Sequence, residues 1–106
     1  MLRIYPIALL VARDAALAAK QVTRADPDLA RQLRRASASI PLNIAEGAGS
    51  RGRNRVARYA DALGSARETS ACFDLAYILD YVPRTNETDV RQRLDHVIGV
   101  LVKLTR

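Results

Sequence analysis

The 106-residue chain carries 17 basic against 11 acidic side chains, a net charge of +6, and a single cysteine. That length supplies one hydrophobic core and a single domain, residues 1–106. One cysteine excludes an internal disulfide framework and fits a reducing, cytoplasmic setting, and no apolar run is long enough to cross a bilayer.

The N-terminal stretch MLRIYPIALLVARD runs straight into an amphipathic pattern and lacks a small-residue cleavage motif, so it reads as structure rather than a signal peptide. Alanine is abundant and no period-2 pattern stands out, so four helices are expected. The first runs from Pro6 to Thr23, with Pro6 in the first turn, where its missing N–H costs little. Asp26 is placed to cap the second, Pro27–Ala48, whose stripe is Leu29, Leu33, Ala36, Ile40 and Ile44. Pro41 lies inside that helix and is expected to kink it, with Ser37 and Ser39 satisfying the freed carbonyls. Gly47 and Gly49 are expected to end it in the left-handed conformation.

The third helix, Asn54–Val82, carries two stripes. Val56, Tyr59, Leu63, Ala66, Ser70, Phe73 and Tyr77 form a seam in 3,4 steps. Ala57, Ala60, Gly64, Ala71, Leu75, Ile78 and Val82 repeat that rhythm a third of the way round, and two apolar faces imply two packing partners, one of them another subunit. Gly64 in mid-helix costs about 1 kcal/mol relative to alanine, which a close helix–helix approach would explain. Pro83 ends this helix, Thr85 or Asn86 caps the fourth, and Val90, Leu94, Val97, Leu101 and Leu104 form its core stripe. Short connections then predict an all-α, antiparallel up-down four-helix bundle with a proline-kinked second helix.

The excess charge is concentrated. Residues 31–58 hold Arg31, Arg34, Arg35, Arg51, Arg53, Arg55 and Arg58 against one acid, Glu46, which gives +6, while the remainder balances ten against ten. Two readings fit. One is a surface for nucleic-acid phosphates, a stripe about 30 Å long in which Arg31 and Arg35 lie one turn apart and Arg51, Arg55 and Arg58 share a face if the first turn of the third helix extends back to Arg51. The other is a solvated face, or ion pairing between subunits with the acidic residues Asp74, Asp80, Glu87, Asp89 and Asp95. No aromatic lies within 31–58 and only Tyr59 adjoins it, so backbone contacts are favoured over base stacking.

Little supports catalysis, and no cofactor is expected. Gly47-Ala48-Gly49-Ser50-Arg51-Gly52 fits G-x-G-x-x-G, but a helix precedes it where a dinucleotide fold needs a strand. His96 stands alone, so a metal site is not expected, and Cys72 falls on the polar side of the third helix as a packed thiol. Asn43 and Glu46 share one face near Pro41. They fit a network that satisfies backbone groups or pairs Glu46 with an arginine better than a polar binding site.

The segment QLRRASASIPLNIAEGAGS at 32–50, followed by ALGSARET at 62–69, closely resembles the four-helix-bundle proteins encoded in intervening sequences of 23S ribosomal RNA genes. The resemblance covers nearly the whole chain. It implies a ring-like homopentamer and a relation to the accessory variability determinant proteins of diversity-generating retroelements, basic pentamers that bind nucleic acid and a reverse transcriptase. By resemblance Asn43, Glu46, Gly47, Gly64, Ser65 and Glu68 are the motif positions, with structural roles. Arg58, preceded by Ala57, stands where family members often carry an aromatic. The expected function is that of a non-enzymatic, oligomeric nucleic-acid-binding protein. A scaffold or accessory subunit, for example of a reverse transcriptase, is the alternative.

Overall fold

A computed structural model describes residues 2–106. Four helices follow one another: α1 (Ile4–Val22), α2 (Pro27–Ala48), α3 (Gly52–Ile78) and α4 (Glu87–Leu104). They form an antiparallel bundle in the cyclic order α1–α2–α3–α4. α1 and α3 touch only lightly across the diagonal, and α2 and α4 do not meet. The molecule is elongated, 43 × 24 × 20 Å. Val11, Leu33, Ile40, Ile44, Leu94, Val97 and Leu101 are fully buried along its axis.

The bounds of α2 match the sequence expectation because local chemistry sets them. The Asp26 carboxylate accepts from the Leu29 backbone N–H at 2.9 Å, and Pro27 follows at the first helical position. The helix passes through the buried Pro41 without a break. The serines behave differently from expectation. Proline removes the N–H that would reach the Ser37 carbonyl, yet the Ser37 hydroxyl bonds the Arg34 carbonyl at 3.2 Å and Ser39 turns to Ser65.

The glycines of this region also depart from expectation. Gly49 caps α2 at φ −86°, a right-handed conformation, and Gly47 lies inside the helix. The constraint on Gly47 is steric: a Cβ there would sit 2.4 Å from Cε1 of Tyr59, whose ring is only 5% exposed. Gly47→Ala should therefore destabilise the bundle by about 1–3 kcal/mol through overpacking. Gly99→Ala, at an open α4 position, should instead gain up to about 1 kcal/mol from helix propensity. Urea midpoints of the two variants check this, and equal shifts would refute the steric account. The left-handed glycine is Gly52, at φ 57°, where α3 begins.

α3 ends four residues before the expected Val82. Asp80 takes φ 58°, and the N–H groups of Asp80 and Tyr81 bond the carbonyls of Tyr77 (3.1 Å) and Ala76 (2.9 Å). This is a Schellman closure with aspartate in the usual glycine position. Asn86 stands at the N-cap of α4 but makes no capping bond; its Oδ1 accepts from the Tyr77 hydroxyl at 3.2 Å.

Contact with both α2 and α4 widens the buried arc of α3. Tyr59, Ala66, Phe73 and Tyr77 of the expected seam are buried, whereas Val56 is 45% exposed. Ala62, Thr69, Cys72 and Ala76 are buried beside the seam. Cys72 is thus a core residue and not on a polar side; burial, then the nearby Glu68 charge, raises its thiol pKa. The second stripe faces outward apart from Val82. Gly64 has open space around it, so no close approach within the chain accounts for it.

Candidate nucleic-acid interface

The arginine-rich segment occupies the α2–α3 hairpin. On the outer ridge of α2, Arg31, Arg35, Ala38 and Leu42 follow helical steps and are exposed, with Leu42 66% open to solvent. Arg34 flanks the ridge and is also exposed. A shallow open groove runs between Asp28, Gln32 and these arginines.

The seven arginines do different things. Arg31 is ion-paired with Asp28, one turn earlier. Arg58 lies between Glu46 and Asp61, 3.5 Å from each carboxylate. Arg55 turns back across the hairpin, and its Nε donates to the Ser50 carbonyl at 2.9 Å and the Gly47 carbonyl at 3.2 Å. A helix leaves its last carbonyls without intrahelical partners, and a cation at that end also meets the negative pole of the helix dipole. The Ser50 hydroxyl takes the Glu46 carbonyl at 2.8 Å. Arg55 and Ser50 together therefore close α2 and fix the turn.

Arg34, Arg35, Arg51 and Arg53 are exposed and have no acidic partner among the described residues. Arg51 is the extended N-cap of α3, at φ −135° and ψ 152°. The first turn of α3 does not reach back to it, and Arg51, Arg55 and Arg58 do not form one outward row.

The motif positions on either side of Pro41 form a structural network. Asn43 Nδ2 donates to the Ser39 carbonyl at 2.9 Å and hydroxyl at 3.0 Å. The Ser39 hydroxyl meets that of Ser65, 2.8 Å across the α2–α3 seam, and Thr69 donates to the Ser65 carbonyl at 2.8 Å. No buried side-chain polar atom among the described residues lacks a partner. Glu46 is committed to Arg58 and Glu68 is exposed on α3. Asn43 thus bonds a backbone carbonyl of its own helix, while Glu46 lies apart from these bonds, beside Arg58.

His96 is exposed, and no metal-binding group of three His, Cys, Asp or Glu residues occurs among the described residues. No strand precedes Gly47 among the described residues; the G-x-G-x-x-G pattern spans the last residues of α2, the turn and the first residue of α3. No described helix is long and apolar enough to cross a membrane.

One charged residue escaped sequence reading. Asp14 is 5% exposed within the core stripe of α1, held by Arg93 of α4 at 2.7 Å and by Arg13 at 3.3 Å. The signal was an acid three residues after Val11 and four before Ala18, on the apolar side of the helix.

Comparison with known proteins bears on the whole chain. The family model described as "23S rRNA-intervening sequence protein" matches residues 2–103. No curated protein matches. A crystal structure of a protein of unknown function from the S23 ribosomal protein family of Bacteroides thetaiotaomicron VPI-5482 superposes with a TM-score of 0.87. It shares 19% identity, over 97% of this chain and 98% of that one.

Proposed function

The chain belongs to the 23S rRNA-intervening sequence protein family, and on that premise we propose that it is a non-enzymatic, cytoplasmic nucleic-acid-binding protein that contacts phosphates through the α2–α3 hairpin. The observation that carries this reading is the charge distribution: the whole net charge falls within residues 31–58, and five arginines there are free of acidic partners, of which only Arg55 is engaged in holding the turn. Guanidinium groups suit phosphate because their planar donors match its oxygens. The protein acts as a homo-oligomer, a pentamer by family resemblance. Linked copies multiply the field and the avidity of individually weak sites. The outward stripe of α3, with Leu75 and Ile78 at 48% and 67% exposure and Leu79 just beyond the helix at 49%, supports a subunit contact there.

That apolar face also favours a second reading, an accessory subunit that docks a protein partner and touches nucleic acid only secondarily. Titrating the purified protein with a structured RNA across salt, with its mass determined in the same buffer, separates the two. Steeply salt-dependent binding by an oligomer is expected. Absence of binding at low salt would overturn the first reading in favour of the second.

A further inference from the structure

Three observations bear on which nucleic acid the hairpin takes. The first is the pairing of its arginines. Arg31 is neutralised locally by Asp28, and Arg58 by Glu46 and Asp61; engaging either with a phosphate would leave a carboxylate beside it. Arg55 keeps its charge, but its Nε holds the end of α2, so it positions the turn. Arg34, Arg35, Arg51 and Arg53 remain.

The second is where these four stand. Arg34 and Arg35 sit in the first half of α2. Arg51 and Arg53 flank the left-handed Gly52 beyond its far end. From Arg35 to Ala48 the axis advances roughly 20 Å at 1.5 Å per residue. The four charges therefore form two stations separated by a rigid helix.

The third concerns the aromatics. Tyr59, Phe73 and Tyr77 are 5% exposed or less, and Tyr5 and Tyr81 are half-buried. Tyr59, which adjoins the basic segment, has its ring laid on Gly47. The hairpin offers no aromatic platform, and single-strand binders draw much of their affinity from bases stacked on such rings. A single strand would also have to be straightened between the two stations, at a cost in conformational entropy. A duplex is already stiff over this length and presents its phosphates at a fixed pitch.

We infer that the hairpin takes the sugar–phosphate backbone of a nucleic-acid duplex, held by Arg34 and Arg35 at one station and by Arg51 and Arg53 at the other. The inference rests on the nucleic-acid reading above and adds the strandedness of the ligand and the residues that hold it. RNA and DNA duplexes share the recognised chemistry.

The test uses fluorescence anisotropy of the full chain with a labelled RNA duplex of about 20 base pairs, a DNA duplex of the same sequence, and the separate strands, titrated from about 50 to 200 mM salt. Both duplexes should bind at least tenfold more tightly than their single strands. Four phosphate contacts predict a slope of log K against log salt of about −3.6 per protomer on the DNA duplex. Arg34→Ala/Arg35→Ala and Arg51→Ala/Arg53→Ala should each remove about half of that slope. The charge-neutral pair Asp28→Asn/Arg31→Gln should leave it unchanged. All of these side chains are exposed, so unchanged melting curves are expected and confirm folding. A preference for one duplex over the other assigns the ligand to RNA or DNA within the inference. Single strands binding as tightly as duplexes would overturn the inference while leaving the nucleic-acid reading intact. An unchanged slope in both double variants would overturn the residue assignment. No binding of any probe at low salt would overturn both readings.

Discussion

Tyr77→Ala is expected to destabilise the protein by about 3–5 kcal/mol, the range for removing a large buried aromatic. The ring is 1% exposed and stacks on Phe73 with centroids 5.9 Å apart. The guanidinium groups of Arg84 and Arg91 lie 5.8 and 5.7 Å from its centre, where the negative face of the ring attracts cations. Arg91 in turn bonds Glu87 and Asp74, each at 2.8 Å, and Arg84 bonds Glu87 at 2.9 Å. One side chain thus joins the end of α3 to the start of α4. Stability of a domain this size is about 5–15 kcal/mol, so the loss should lower the urea midpoint sharply. Tyr77→Phe keeps the ring and removes only the bond to Asn86, for a cost near 1 kcal/mol. If the two variants lost stability equally, the ring would not be the source. Acid should weaken the same junction. Hydrogen bonds from Arg91 and Arg84 lower the Glu87 pKa, so its contribution is present above the ordinary glutamate range and is lost as pH falls through the lowered value.

Arg93→Ala should cost about 3 kcal/mol. The substitution leaves the buried Asp14 carboxylate with Arg13 alone, at 3.3 Å and from an exposed side chain. Stranding one charge of a buried pair is more damaging than removing both, because the remaining ion keeps its desolvation penalty without its partner. The double variant Asp14→Leu/Arg93→Leu should therefore recover most of the loss. Chemical denaturation of the wild type, Asp14→Leu, Arg93→Leu and the double variant forms the cycle that measures the coupling. A double variant no more stable than Arg93→Ala would refute the account.

Sequence reading succeeded where structure is decided locally and failed where it is decided across the bundle. The start of α2 was legible because Asp26 and Pro27 act within a few residues of themselves; its end falls at the expected Ala48, but Ser50 and Arg55 close it where left-handed glycines were expected. The end of α3 was not legible, since nothing in the composition marks Asp80 as a left-handed residue; glycine usually fills that position. Gly47 was recognised as special, but its reason lies in Tyr59, twelve residues on and in another helix. The arginines were legible as a charge excess. Their division into paired, structural and free groups depends on which carboxylates and carbonyls the hairpin brings within reach, and a helical wheel does not contain that information. Asp14 was missed for the same reason, its partner being 79 residues away.

The seams of the bundle are unequal. α2 and α3 share the most extensive contact, and α4 touches the others over the least. Proteins open locally where the least packing has to be broken. The motion of lowest cost is a swing of α4 away from α1 and α3, releasing Asp14 from Arg93, while the charged hairpin stays assembled. In amide-exchange terms, α4 is the fast body and α2–α3 the slow one. The molecule can breathe on one side without altering the electrostatic potential it presents on the other.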